Sequence, residues 1–343
     1  MSKTVDLLLD IASEQNGYRI GEPWRFHELS LAAIVPIIRE NGHQREYLLL
    51  AEAKGVKIKD TGSIDKIQVT NKSGQAVLAK AGEYVAGGTQ TRVLTVSQVI
   101  FSEEKVILPC ACVHSTKGIR ADQPVEVAGY APREVRGVVY SGIRRRSGSN
   151  LYTTNFQQDV WGSVKRASRR YAESNQCFAS SLGGLSSGGG ELGAIAEDMA
   201  TPYFTPTEDL AGRVRETGEK LEKVLKKVPH VENQVGICLC SLDGLDTFES
   251  FEHPDSWKAL RDNLLKAEAD KLVDLSNSSC LFEFRADKAR DVIRDLLTSK
   301  FDENVVIDRE NSQTIILNTE RFQGEVVTLR GEPIHASFMR KQN

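Results

Sequence analysis

Residues 82–118 read GEYVAGGTQTRVLTVSQVIFSEEKVILPCACVHSTKG, and the alternation in this stretch decides what kind of chain this is. Gly87-Gly88 breaks it into a tight turn, because only glycine takes positive φ freely and lets backbone approach a neighbour. Glu83 precedes the turn. Gln90 and Arg92 follow it at period-two spacing and so leave one face of a strand. Residues 97–101 and 105–113 are β-branched and apolar enough to be partly buried strands, with Glu103-Glu104 as the polar turn of a hairpin between them. Across that hairpin Glu83, Gln90 and Arg92 converge on one small polar ligand, with Gly87 and Gly88 letting it approach the backbone. The same residues allow a plainer outcome, a Glu83–Arg92 ion pair that closes the turn.

Further along, Cys110, Cys112 and His114 share one strand face, about 7 Å apart at each step. Soft sulfur and nitrogen donors suggest zinc, but neighbours along one strand rarely reach one ion together. No fourth ligand is evident, so no metal is expected. Cys112 as a nucleophile with His114 as base needs a positive surrounding, which Lys117 or Arg120 could give. The plainer reading makes the cysteines small core side chains. Cys112 and His114 join the candidate ligand-binding residues.

The run Gly82-Glu83, Gly87-Gly88, Gln90-x-Arg92, then Pro109 and Cys112, resembles the ADP-ribosylglycohydrolase- and rhodanese-phosphatase-associated protein family. Further matches are Gln158-x-x-Trp161, the passage from Val235 to Leu275, and Gly331-Glu332-Pro333-Ile334-His335-x-x-Phe338 near the C-terminus. Together they cover most of the chain from about Gly21 onward. The family pattern has a glutamate after the Cys-Val and then Gly-Arg-Trp, where this chain has His114 and Ser115-Thr116-Lys117. The family's name records gene neighbourhoods rather than a reaction. The resemblance implies a phosphorylated nucleotide ligand, such as an ADP-ribose or NAD-linked derivative.

The whole chain has 343 residues, six cysteines and a net charge of −3, which argues against a globally nucleic-acid-binding surface. No apolar run approaches the roughly 20 residues of a membrane span, so no membrane partner is expected. Residues 4–15 read as a short amphipathic helix with Thr4 as N-cap and Leu7, Leu8 and Ile11 on one face; Gly17 ends it. Asp6 and Asp10 interrupt its apolar run, and no signal peptide is read there. The Cys-x-Cys pairs are poorly placed to bridge, so reduced thiols and a cytoplasmic location are expected. Strands and hairpins fill 30–80, with turns at Asn41-Gly42, Lys54-Gly55 and 71–74.

Residues 133–171 carry nine basic side chains against Glu134 and Asp159, a local net of +7, with aromatics interleaved. A helix from about Asn155 to Glu173 places Lys165, Arg166, Arg169 and Arg170 in two basic rows. Arg144, Arg145 and Arg146 form a loop cluster. Basic charge with aromatics suits phosphate or single-stranded RNA; a solvated helix face is the plainer reading. The Gly/Ser-rich stretch 178–193 is a linker or a closing loop without the spacing of a phosphate-binding loop.

Beyond it, helices at 207–228, 255–275 and 287–299 alternate with strands at 235–242, 304–307, 313–317, 325–330 and 334–338. His335 reads as structural. The expectation is an α+β chain: an N-terminal helix (1–17), a β-rich body with the basic helix (18–175), a Gly/Ser-rich segment (176–206) and an α+β half (207–343) packed on the body. Its partner is an anionic small molecule or, alternatively, RNA or the ribosome. The residues indicate no cofactor, no reaction and no oligomeric state.

Overall fold

The computed structural model describes residues 3–24, 33–40, 44–87, 91–113, 121–142, 144–145, 152–153, 157–166, 225–226, 228–241, 244–268 and 301–341, with single positions at 291, 293 and 296. The fold is α+β and mostly β. Among the expected features, Asn41-Gly42, Gly88, Gln90, His114, Arg146, Arg169, Arg170, the Gly/Ser-rich stretch and most of the helix at 207–228 lie outside the described residues.

A closed six-stranded barrel is built from β4 (Val56–Asp60), β5 (Lys66–Asn71), β7 (Glu83–Ala86), β8 (Arg92–Leu94), β10 (Lys105–Cys112) and β11 (Pro124–Tyr130), in the order β10-β5-β4-β11-β7-β8. Alternation drives it: Ile58, Ile67, Val69, Val85, Leu94 and Cys110 join one buried cluster, while Lys57, Lys59 and Lys66 face out. The β7–β8 hairpin pairs Val85 with Arg92, so Arg92 leaves its strand on the side of Val85. Beside the barrel lies a small sheet of β3 (Tyr47–Leu49), β6 (Ala76–Ala79) and β9 (Gln98–Ile100).

This arrangement corrects the expected hairpin at 97–113. β9 pairs with β6 in the small sheet, whereas β10 pairs with β5 and β8 in the barrel. The turn between them, with Glu103 at φ 62°, carries the chain from one sheet to another. A polar turn between two apolar runs gives the direction change, and only the available partners decide whether the runs pair.

The largest sheet runs β1-β2-β14-β15-β19-β18-β17-β16. Its members are β1 (Tyr18–Ile20), β2 (Ala33–Arg39), β14 (Gln234–Ser241), β15 (Gly244–Phe251), β16 (Asp302–Arg309), β17 (Ser312–Asn318), β18 (Phe322–Leu329) and β19 (Glu332–Arg340). β2 lies between β1 and β14, so strands from both ends of the sequence share this sheet. Both its faces are covered. Val35, Cys238, Phe248, Val326 and Phe338 pack in one cluster with α1 (Lys3–Ala12); Ile237, Leu239, Val327 and Met339 pack in another with residues of the barrel, the small sheet and the helices α2 (Arg133–Gly142) and α4 (Pro254–Ala267). Burial on both faces erases the alternation, as in β18, where all eight residues are buried.

α1 begins at Lys3, which places Thr4 inside the helix rather than at its cap. α3, helical over 157–166, buries Val160 and Val164. α4 opens on His253, whose Nδ1 accepts from the Asp255 N–H at 3.1 Å, with Pro254 at the first helical position. β15 was not anticipated at all: its sequence, GLDTFESF, carries two acids and reads as surface, yet seven of its eight residues are buried.

Candidate functional site

Two polar centres lie inside this apolar architecture. The first is in the barrel and holds the residues the sequence singles out. Arg92 Nη2 donates to both oxygens of Asp60, at 2.8 and 2.9 Å, and to the Ser63 carbonyl at 3.3 Å. Both side chains of this pair are wholly buried. Arg92 is therefore paired with Asp60 and not with Glu83, which removes the plainer alternative of a Glu83–Arg92 ion pair. Asp60 is oriented in turn by the Gly62 N–H, 3.1 Å from Oδ1. The remaining donors of Arg92, on Nε and Nη1, are buried and meet no acceptor among the described residues.

The cysteines of β10 line the same region. Cys112 is the strand partner of Arg92, and Cys110 that of Leu94. Burial pushes the Cys110 thiol well above its ordinary range, against a smaller opposing effect of Arg92. Cys110 is thus a core thiol rather than a thiolate. Cys112 is tied at its backbone: its N–H donates to Gln157 Oε1 at 2.9 Å, and Gln157 Nε2 donates to its carbonyl at 2.5 Å. That amide replaces a strand neighbour, and it comes from α3, beside the Gln158-x-x-Trp161 motif. Gly87 has φ 107°, and a Cβ there would sit 3.0 Å from the Pro124 carbonyl oxygen, so glycine is required.

The second centre lies where the small sheet and the barrel meet the large sheet. Lys80 Nζ is 2.6 Å from Glu249 Oε1 and 2.5 Å from His335 Nε2; His335 Nε2 is 2.7 Å from the same carboxylate oxygen. All three side chains are wholly buried. Strand register explains how they meet. Glu249 on β15 and Glu325 on β18 both oppose Ser337 on β19, so two carboxyls flank one small residue. His335 lies two residues before Ser337 on the same face. Glu325 accepts from the Ser97 hydroxyl, which itself accepts from the Ala81 N–H at 2.7 Å. Glu83 joins through Oε2, which accepts the Lys80 N–H at 2.8 Å.

Arg136 and Glu268 form a buried pair at the margin of this centre, and the Arg136 guanidinium lies 4.8 Å from the Tyr130 ring centre. Gly82, at φ 91°, makes room for it, since a Cβ there would meet Arg136 Cγ and Cδ at 2.9 Å. Arg133 is also buried, against Asp246 at 3.4 Å. Two members of the expected basic surface therefore belong to the interior. Lys165 and Arg166 are exposed on α3; Arg144 and Arg145 lie in β12 (Arg144–Arg145), which pairs with β13 (Tyr152–Thr153).

Burial sets the electrostatics of the second centre. It raises Glu83 to about 7, against the Lys80 N–H and charge, and it raises Glu325 as well. Burial also pushes Glu249 up, but Lys80 and His335 together overcome it and hold the carboxylate below its usual range. His335 falls to about 4 because burial and the Lys80 charge both disfavour imidazolium. The result is an ionised Glu249, a neutral imidazole and two carboxyls biased toward the acid form.

Of the expected ligand residues, Glu83 belongs to this second centre, whereas Arg92 and Cys112 belong to the barrel centre. Lys80, Ser97, Glu249 and Glu325 were not singled out from sequence. The available signal was Lys80 standing two residues before the Gly82-Glu83 of the family run, and His335 standing inside its closing motif. Among the described residues no group of three or more His, Cys, Asp or Glu is arranged to hold a metal ion. Among them, too, no helix is long and apolar enough to cross a membrane.

No curated protein and no solved structure matches the chain. The model of the ARG and Rhodanese-Phosphatase-superfamily-associated Protein domain matches residues 17–339, from the turn after α1 to the penultimate residue of β19. The match takes in both polar centres and every sheet described, and the chain belongs to this family.

Proposed function

We propose that the chain binds a small phosphorylated ligand of the nucleotide type, with Arg92 as its principal anion-binding group. The observation that carries this reading is the guanidinium itself. Asp60 holds Arg92 through one nitrogen, and the N–H groups on Nε and Nη1 are buried without an acceptor among the described residues. Leaving such donors unmatched is unfavourable, and an anion supplies what they lack. The nucleotide class is what the family resemblance implies, since the family is named for its association with ADP-ribosyl-processing proteins. Gly87 and Cys112 are the described residues that join Arg92 in the proposed site; Gly88, Gln90 and His114, outside the described residues, are kept as candidates from the sequence, and Glu83 as a candidate from the neighbouring centre. Free buried thiols at Cys110, Cys238 and Cys240 support a cytoplasmic setting.

Calorimetric titration of the whole chain with ADP-ribose, ADP and ribose 5-phosphate tests the proposal. Binding that is lost in a folded Arg92→Lys variant supports it. No heat with any of the three, or equal binding by the variant, overturns it. Chromatography of the same mixtures reads any turnover separately. The alternative is RNA binding through Lys165 and Arg166, exposed on α3, together with Arg144–Arg146, Arg169 and Arg170. It would show as RNA affinity falling steeply with salt.

A further inference from the structure

At one end of the large sheet, α1 and the strand ends enclose a cavity of about 310 Å³. Strand register brings one wall together. Tyr18 at the start of β1 opposes Arg39 at the end of β2. Glu252, just after β15, donates its N–H to the Ile334 carbonyl of β19 at 2.9 Å, beside Glu332 and Pro333. α1 supplies the other wall with Asp6, Leu7 and Asp10, the two acids one turn apart on the same side of the helix. None of these residues belongs to the barrel, so the cavity is separate from Arg92.

Four carboxyl groups, those of Asp6, Asp10, Glu252 and Glu332, line this space against one guanidinium, a net of three negative charges. Tyr18 is what marks it as a site. The residue lines the cavity at 5% exposure, and its hydroxyl makes no hydrogen bond among the described residues. Burial raises that hydroxyl to about 12, against a smaller opposing effect of Arg39, so it stays neutral and able to accept an N–H. Arg39 is already engaged: Nη1 donates to the Glu252 carbonyl at 3.1 Å, and the guanidinium lies 4.9 Å from the Tyr18 ring centre. Its Nε is shut off from solvent and out of a ligand's reach. Asp10 Oδ2 accepts from Asn16 Nδ2 at 2.8 Å, which orients that carboxyl and leaves Oδ1 for a ligand.

No three of these acids are arranged to hold a metal ion. Their charge is spread along the cavity rather than focused on a point, which suits a cation whose own charges are spaced apart. Leu7 and Pro333 add apolar surface for the methylenes between such charges. We propose that this cavity binds an aliphatic polyamine, with its ammonium groups on the four carboxyls and one N–H on the Tyr18 hydroxyl. The ligand thereby ties α1 to the sheet.

The test is calorimetric titration of the whole chain with spermidine at fixed, near-physiological ionic strength, with magnesium chloride titrated in parallel. Spermidine should bind as one molecule per chain, and magnesium should neither bind nor compete. Tyr18→Phe keeps the ring beside Arg39 and removes only the hydroxyl; it should weaken spermidine binding about tenfold. Asp6→Asn combined with Asp10→Asn should also weaken it about tenfold. Circular dichroism checks that both variants fold. A second measurement needs no variant: spermidine should slow amide exchange in α1 of the wild-type protein, and magnesium should not. No spermidine heat, equal binding of magnesium, or undiminished binding by both folded variants would overturn the proposal. So would a tetralysine peptide that binds where spermidine does not, since the cavity would then take side chains of another polypeptide.

Discussion

Lys80 Nζ lies 2.6 Å from Glu249 Oε1, although the two residues are 169 positions apart and neither side chain touches solvent. Lys80 follows β6 of the small sheet and Glu249 belongs to β15 of the large one. The pair is thus a joint between two layers. Low polarity strengthens the attraction and raises the desolvation penalty together, so removal of one partner has a different consequence from removal of both.

Lys80→Met should destabilise the chain by roughly 3–5 kcal/mol, because it leaves Glu249 buried without its cation. Lys80→Met combined with Glu249→Leu should recover most of that loss. Urea unfolding of the two variants decides the matter, and a double variant no more stable than the single one would show that the pair itself holds the layers together.

The pair Arg92–Asp60 should behave the same way within the barrel. Arg92→Leu strands a buried Asp60 and should lose roughly 3–5 kcal/mol, whereas Arg92→Leu with Asp60→Leu should regain most of it. Chemical denaturation reads both. A single variant with unchanged stability would show that the buried Asp60 does not depend on Arg92 for its charge.

Stability should depend on pH through two groups with opposite signs. Glu83 has its folded pKa raised above the unfolded 4.5 to about 7, so its contribution is complete below about pH 4.5 and is lost as pH rises to about 7. His335 is lowered from 6.5 to about 4, so its contribution is complete above about pH 6.5 and is lost as pH falls toward 4. Melting curves of Glu83→Gln should lack the first slope, and those of His335→Gln the second. A wild-type slope retained in either variant would assign the titration to another group.

Gly324→Ala should prevent correct pairing of β18 with β19. A Cβ there would sit 2.0 Å from the Ser337 carbonyl oxygen, which is backbone and has no room to yield. The expected outcome is a loss of soluble folded protein, seen by circular dichroism and size-exclusion chromatography. Gly74→Ala is the control: it has open space around it but φ 80°, so a modest loss is expected, about 1 kcal/mol.

By itself the sequence determined the strand-rich character, the turns and much of the core. Val85, Leu94 and Cys110 announce their buried sides by spacing alone, because a strand's period of two is local. Family membership was legible from Gly82-Glu83, Gln90-x-Arg92 and the closing GEPIHASF for the same reason. The partners were not. Periodicity reports that a face is covered and says nothing of what covers it, which is why β9 and β10 read as one hairpin and lie in separate sheets. β15 stayed hidden because Asp246 and Glu249 look like surface residues; a lone charge is too unfavourable to bury, and their partners Arg133 and Lys80 stand more than a hundred positions away. Arg92 stands out in the sequence but its partner Asp60 does not, since β4 and β8 are brought to face each other only when the barrel closes. Tertiary structure alone brought Lys80, Glu249, Glu325 and His335 together, because each is tolerable in the interior only in the presence of the others.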